Sequence, residues 1–328
     1  MPNFFCLARP CPCPALGRKP DCRAFATWEK KARAHSYAAD NARGARFKMT
    51  RIRTPLDRGR LPTELAMQPH SLATFKPLLS KLVQSLPVPP PPTGQLRDPA
   101  EPLSQEQLEA LLEHLSDVTF TQDPANSAAI GSALTALRLS GLDMRPSTLA
   151  FMRQKFIEQI QPFDVPVLED SPNTDYRGWV DIVGTGGDGK DTFNVSTTAM
   201  FIAGGVNGMH VAKHGGKAST SPSGSGELLM SLGLPLLQVP SNEMVKSLFH
   251  CSCTFLFAPM FHRAMMPLAP IRASLGFPTL FNILGPLINP KSTCRGLYGV
   301  HSSGLGRIYA ETLYMSGLEY FWVVCGEE

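Results

Sequence analysis

Between Trp179 and Gly233 the chain sets glycines, hydroxyls, amides and a lysine at spacings that suit an anion. Gly184, Gly186, Gly187 and Gly189 follow a short apolar run, Trp179 to Val183, that reads as a buried strand. Glycine lets a backbone approach a bound anion closely, with N–H groups pointing inward and no Cβ in the way. On glycine alone, an ordinary tight turn between strand and helix reads the same. The residues that follow shift the reading. Asn194, Ser196, Thr197 and Thr198 crowd the entry of an apolar helix, more polar groups than one N-cap needs. A helix N-terminus adds partial positive charge. A second such unit follows: Lys213, His214 and Gly215 end a strand, and Ser219, Thr220, Ser221, Ser223 and Ser225 follow it. Two strand-to-hydroxyl-loop units, one ending in lysine, are chemistry for holding phosphate. No convincing Ser-His-Asp or Cys-His pairing suggests covalent catalysis.

These loops need strands and helices to carry them. Strands are expected at 179–183, 209–213, 253–258 and 319–325, and helices at 196–204, 224–232, 242–249, 260–267 and 304–316. Alternating strands and helices imply an α/β domain with a mostly parallel sheet covered on both faces. Upstream lie three amphipathic helical patterns. One starts at Ser104 with Gln107 three residues on, a capping box; one starts at Asp123-Pro124 and ends at Gly141; one starts at Ser147. A shorter helix is expected from Thr74 to Leu86. Residues 67–165 therefore read mainly as a small helical domain containing a proline-rich linker at 87–103, and 166–328 as the α/β domain.

Residues 1–66 hold 14 Lys/Arg against 5 Asp/Glu, whereas residues 67–328 hold 17 against 22. The acidic body argues against nucleic acid as a partner. No apolar run of about 18 residues is present, so no membrane span is expected. Residues 1–66 read as a disordered basic extension: an organelle transit peptide, an interaction arm, or sequence outside the mature protein. Cys6, Cys11, Cys13 and Cys22 are poorly spaced for zinc, and the absence of a secretory signal points to free thiols in the cytoplasm, or in an organelle if the extension is a transit peptide.

Three stretches in order, GTGGDGKDTFNVST, KHGGKASTSPSGSGELLMSLG and RASLGFPTLFNILGPLINP, resemble anthranilate phosphoribosyltransferases. The resemblance runs from about Met67 to the C-terminus. It implies transfer of a phosphoribosyl group from phosphoribosyl pyrophosphate to anthranilate, with Mg²⁺, in the second step of tryptophan synthesis from chorismate, and a homodimer formed through the helical domain. It implies that Gly184, Gly187, Asp188, Thr192, Asn194, Ser196, Thr197, Lys213, Ser221 and Ser225 bind phosphoribosyl pyrophosphate, with Ser196 also near the metal. It implies that Gly184, His214, Gly216 and Arg272 face anthranilate. Residue type fits these roles: lysine is a point charge for phosphate, and arginine is a fork for a carboxylate. Asn282, Gly285 and Pro286 are expected only to shape a turn.

The sequence departs from the family pattern in three places. Gly216 stands where asparagine is usual after Lys-His-Gly, and Gly226-Glu227 stands where Ala-Asp is usual. The chain also ends at Glu328, before the acidic pair that holds magnesium in the family, so a C-terminally truncated member is expected. Two alternatives follow: an inactive chain that at most binds ligand, and a pyrimidine nucleoside phosphorylase of the same fold.

Overall fold

The computed structural model describes residues 4–8, 70–86, 103–160, 179–186, 193–206, 209–217, 224–290, 295–318 and 320–326, the first of these as backbone only. The described part of residues 67–165 is helical: α1 (Leu72–Gln84), α2 (Gln105–Ser116), α3 (Val118–Gln122), α4 (Ser127–Ser140) and α5 (Pro146–Glu158). The expected capping box at Ser104 is present, with Ser104 Oγ accepting from Gln107 N and Gln107 Oε1 accepting from Ser104 N. Such caps contribute about 1 kcal/mol each. The helix expected to run unbroken from Asp123 begins instead as a 3-10 turn, Pro124–Asn126, before α4. It ends as expected at Gly141, whose φ of 69° is left-handed and costs glycine little.

The strands are β1 (Phe4–Ala8), β2 (Trp179–Gly184), β3 (His210–Gly215), β4 (Cys253–Phe257), β5 (Arg295–Val300) and β6 (Tyr320–Cys325), in sheet order β1-β6-β5-β2-β3-β4. All neighbours pair in parallel except β1, which runs antiparallel to β6 over Phe4↔Val324 to Ala8↔Tyr320. Five residues of the extension expected to be disordered are thus a strand, as their apolar composition (FFCLA) allows. The rest of the extension and residues 87–102 of the linker lie outside the described residues.

The helices of this part are α6 (Val195–Gly204), α7 (Ser225–Ser231), α8 (Ser241–Lys246), α9 (Ala258–Phe261), α10 (Leu268–Leu275), α11 (Leu280–Leu284) and α12 (Ser303–Met315). The helix expected at 260–267 is broken: α9 stops at Phe261, a 3-10 turn spans Arg263–Met265, and Pro267 N-caps α10. Strand β5 escaped the sequence reading because two glycines dilute its pattern. Gly296 is nevertheless required there, since a Cβ on it would lie 2.5 Å from the Tyr298 ring.

Side chains alternate across the sheet. Val183 and Tyr298 face a core shared with the helical segment, including Leu112, Leu134, Met152 and Phe156. Ile182 and Val211 face Met200 of α6. Trp179, Ala212 and Phe257 join Leu229 of α7 and Val245 of α8. One continuous apolar cluster thus holds the helical segment against one sheet face, and the loops after β2 and β3 emerge together at the C-terminal edge of the sheet, where ligands of open α/β sheets bind.

Candidate functional site

The site is built on the adjoining C-terminal ends of β2 and β3. Strand β2 ends at Gly184; Thr185 N donates to Gly299 O of β5 at 2.9 Å, and Gly186 turns the chain with φ of 62°. Gly187, Asp188 and Thr192 lie outside the described residues. The chain is described again at Phe193, and Asn194 caps α6, its Oδ1 accepting from Thr197 N at 3.0 Å. Thr197 Oγ1 donates to Ser225 Oγ at 2.9 Å, and Asn194 Nδ2 reaches the same oxygen at 3.5 Å. The first turns of α6 and α7 therefore meet, which pools two positive helix ends and several hydroxyls. Ser221 lies outside the described residues.

Lys213 enters this cluster from below. It is 1% exposed, and its Nζ donates to Ile182 O at 2.9 Å and to Ser196 Oγ at 3.0 Å. Burial pulls its pKa down to about 8, and the charge of Asp181 holds part of it back. Asp181, wholly buried in β2, is pushed up to about 6 by burial, against the side chain of Asn289, the charge of Lys213 and the backbone N–H groups of His214 and Ile182. A cation sunk in low dielectric acts strongly on an anion brought to it.

The second group of expected residues sits on the face shared with the helical segment. His214 is buried with its ring 5.0 Å from that of His262. The His262 ring lies 6.1 Å from Phe156 of α5, Phe156 lies 6.1 Å from Phe281, and the Arg272 guanidinium lies 5.7 Å from the Phe281 ring. A string of rings thus links the end of β3 to Arg272. Burial holds His262 down at about 4, and burial together with His262 and Lys213 holds His214 well below the usual histidine range. Both rings are neutral at pH 7, as suits an aromatic ligand. Arg272 Nη2 donates to Asn282 Oδ1 at 3.2 Å, and its Nε is buried with no hydrogen-bond partner.

Asn282, expected only to shape a turn, instead closes a capping box with Thr279 at the start of α11 and holds Arg272. Gly216, at the mouth, has room for a side chain: a Cβ there would meet Ala258 Cβ at an ordinary 3.8 Å. Gly226 is tighter, a Cβ there lying 3.0 Å from the Phe257 ring and 3.1 Å from Gly216 O. None of the sequence motifs above assigns a role to His262, Asp181 or Asn289. The one local signal among them was a carboxylate within the apolar run WVDIV.

Magnesium has a thin donor set among the described residues. No group of three or more His, Cys, Asp or Glu side chains is gathered there. Ser196 Oγ offers one oxygen, already 3.0 Å from the Lys213 ammonium. Mg²⁺ favours one or two carboxylates together with phosphate oxygens, so these residues alone fall short of a metal site. No described helix is long and apolar enough to cross a membrane.

Residues 177–328 match the model of the glycosyl transferase family, a/b domain. The chain is 42% identical over 233 residues to the anthranilate phosphoribosyltransferase of Schizosaccharomyces pombe, covering 70% of this chain and 61% of that protein. It is 38% identical over 238 residues to that of Saccharomyces cerevisiae, covering 70% of this chain and 63% of that one. Among solved structures, the Saccharomyces cerevisiae enzyme in complex with PRPP and Mg superposes with a TM-score of 0.65 at 33% identity, covering 79% of this chain and 67% of that chain. The chain thus spans less than two thirds of the length of these two curated relatives.

Proposed function

The chain belongs to the anthranilate phosphoribosyltransferase family, and from that premise we propose that it transfers phosphoribose from phosphoribosyl pyrophosphate to anthranilate. The observation that carries this reading is the buried Lys213 ammonium, aimed at Ser196 where the N-termini of α6 and α7 meet.

In the proposed reaction the anthranilate amine attacks C1 of the ribose. The C1–N bond forms, the C1–O bond to pyrophosphate breaks with its electron pair, and the amine passes its proton to solvent or to the departing diphosphate. The transition state is oxocarbenium-like, so charge builds on the departing diphosphate and binding geometry carries the catalysis. Lys213 neutralises phosphate charge. Thr192, Asn194, Ser196, Thr197, Ser221 and Ser225 donate to phosphate and ribose oxygens, and Gly184, Gly187 and Asp188 line the same site. His214 and Gly216 flank the aromatic acceptor, and Arg272 takes its carboxylate. Were Mg²⁺ bound with the diphosphate, Ser196 would be the protein oxygen nearest to hand and the metal would offset phosphate charge.

We further propose a homodimer through the helical segment, which presents the exposed Val83 and Leu139 beside a groove over Ala128 and Gly131. A cytoplasmic setting suits these soluble substrates.

The test is the loss of anthranilate fluorescence when the purified chain receives both substrates and magnesium. Steady loss is expected. Binding of phosphoribosyl pyrophosphate without turnover would make this a binding-only chain. Turnover of a pyrimidine nucleoside in place of anthranilate would overturn the choice of acceptor.

A further inference from the structure

Strands β2 and β3 start as a regular parallel pair, Trp179↔His210 and Val180↔Val211, and the register stops there. Val211 N donates to Ser252 O beside β4 at 2.8 Å, so the even-numbered residues of β3 turn their backbone groups toward β2. Had the ladder continued, Ile182 N would donate to Ala212 O, and His214 N to Ile182 O. Side chains meet these groups instead. His214 N donates to Asp181 Oδ1 at 3.2 Å, Ile182 O accepts from Lys213 Nζ at 2.9 Å, and Ala212 O accepts from Asn289 Nδ2 at 2.9 Å. The Ile182 N–H lies against the Asp181 carboxylate. Buried backbone groups are paired in almost every protein. Here that requirement is met by three side chains wedged where a ladder would run.

We infer that Asp181 and Asn289 are positioning residues: they keep β2 and β3 apart at the mouth of the site and so place Lys213 and His214 between the two loops. What the positioning serves rests on the phosphate-site reading above; the split itself does not. Two consequences follow. An acceptor at position 181 is needed whether or not it carries charge, so Asn can replace Asp in this role and Ala cannot. The effect is local to the end of β3.

The experiment is amide hydrogen exchange of the intact chain, followed by mass spectrometry over residues 210–215, beside calorimetric titration with phosphoribosyl pyrophosphate and magnesium. Asp181→Ala is expected to exchange about tenfold faster across 210–215, with segments over α4 and α5 unchanged, since one buried donor has lost its partner. Asp181→Asn is expected to exchange like the wild type. Asp181→Ala and Asn289→Ala are each expected to weaken binding about tenfold. Exchange in Asp181→Ala as slow as in the wild type, or in Asp181→Asn as fast as in Asp181→Ala, would overturn the inference. Should Asp181→Ala not fold, the wild-type exchange of Asp181→Asn and the weakened binding of Asn289→Ala still support it, and the reverse results overturn it. A wild-type chain that binds no phosphoribosyl pyrophosphate defeats the phosphate-site reading, while the exchange comparison still tests the wedge.

Discussion

Strand β2 has two parallel neighbours and treats them differently. Toward β5 it pairs without a break from Val180↔Arg295 to Gly184↔Gly299. Toward β3 it pairs for two residues and then opens around Asp181, Lys213 and Asn289. The closed side is made of backbone bonds, glycine and an aromatic ring. The open side is made of buried charge. One strand thus serves both as an anchor and as one wall of the candidate site, and the difference lies in which side chains face each seam. Buried polar groups cost stability unless they are fully hydrogen-bonded, so the open seam is expected to govern binding and the closed seam to govern stability.

The strongest way to break that division is Lys213→Met. With the charge gone, kcat/KM is expected to fall about a thousandfold, about 4 kcal/mol, and the melting temperature to fall moderately, since the buried Ile182 carbonyl loses its donor and Asp181 its counter-charge. A collapse of the fold, or a small kinetic loss, would move Lys213 to the structural side.

The second probe is pH. The His262 pKa is held at about 4 in the fold against an ordinary value of 6.5. Between those values the unfolded chain binds more protons, so stability conferred by the neutral ring is complete above pH 6.5 and is lost as pH falls toward 4. The expected loss is on the order of 3 kcal/mol. Asp181, raised to about 6, works the other way, binding its proton more tightly in the fold between its ordinary pKa of 3.8 and 6. His214 shifts in the same direction as His262, so the histidines are expected to outweigh it. Urea midpoints measured from pH 7 to pH 4 should fall in the wild type and fall less in His262→Gln.

The closed seam is probed by Gly296→Ala. Its Cβ meets the Tyr298 ring at 2.5 Å, and overpacking of this kind costs about 2 kcal/mol. Thermal denaturation should show the loss, with the KM for phosphoribosyl pyrophosphate unchanged in the folded protein. Gly216→Asn, at the open mouth, should do the opposite: stability within about 0.5 kcal/mol, because space exists beside Ala258, and a lower KM for anthranilate in the fluorescence assay as a donor is restored.

Elements with a strong local pattern were legible in the sequence. The apolar runs of β2, β3, β4 and β6, and the capping box at Ser104, were read correctly because adjacent residues carry the signal. Strand β5 was hidden because Gly296 and Gly299 answer to Tyr298 and to the end of β2, contacts that exist only in the folded chain. Short helices such as α10 and α11 have too few residues for a period to show. At the candidate site, the places of Lys213 at the end of β3 and of Ser196, Thr197 and Ser225 at helix starts were legible through their motifs. The wedge was not: Asn289 meets Ala212 across 77 residues, and the carboxylate of Asp181 within WVDIV does not by itself say which backbone group it meets. His262 likewise meets His214 only in the folded chain, the two rings being 5.0 Å apart.

Whether the mouth between β2 and β3 binds phosphoribosyl pyrophosphate through Lys213 is decided by calorimetric titration of the wild type and of Lys213→Met with phosphoribosyl pyrophosphate and magnesium. Saturable binding at one site per chain, lost in Lys213→Met while the variant stays folded, is the expected result. No binding by the folded wild type, or equal binding by the two proteins, would contradict it.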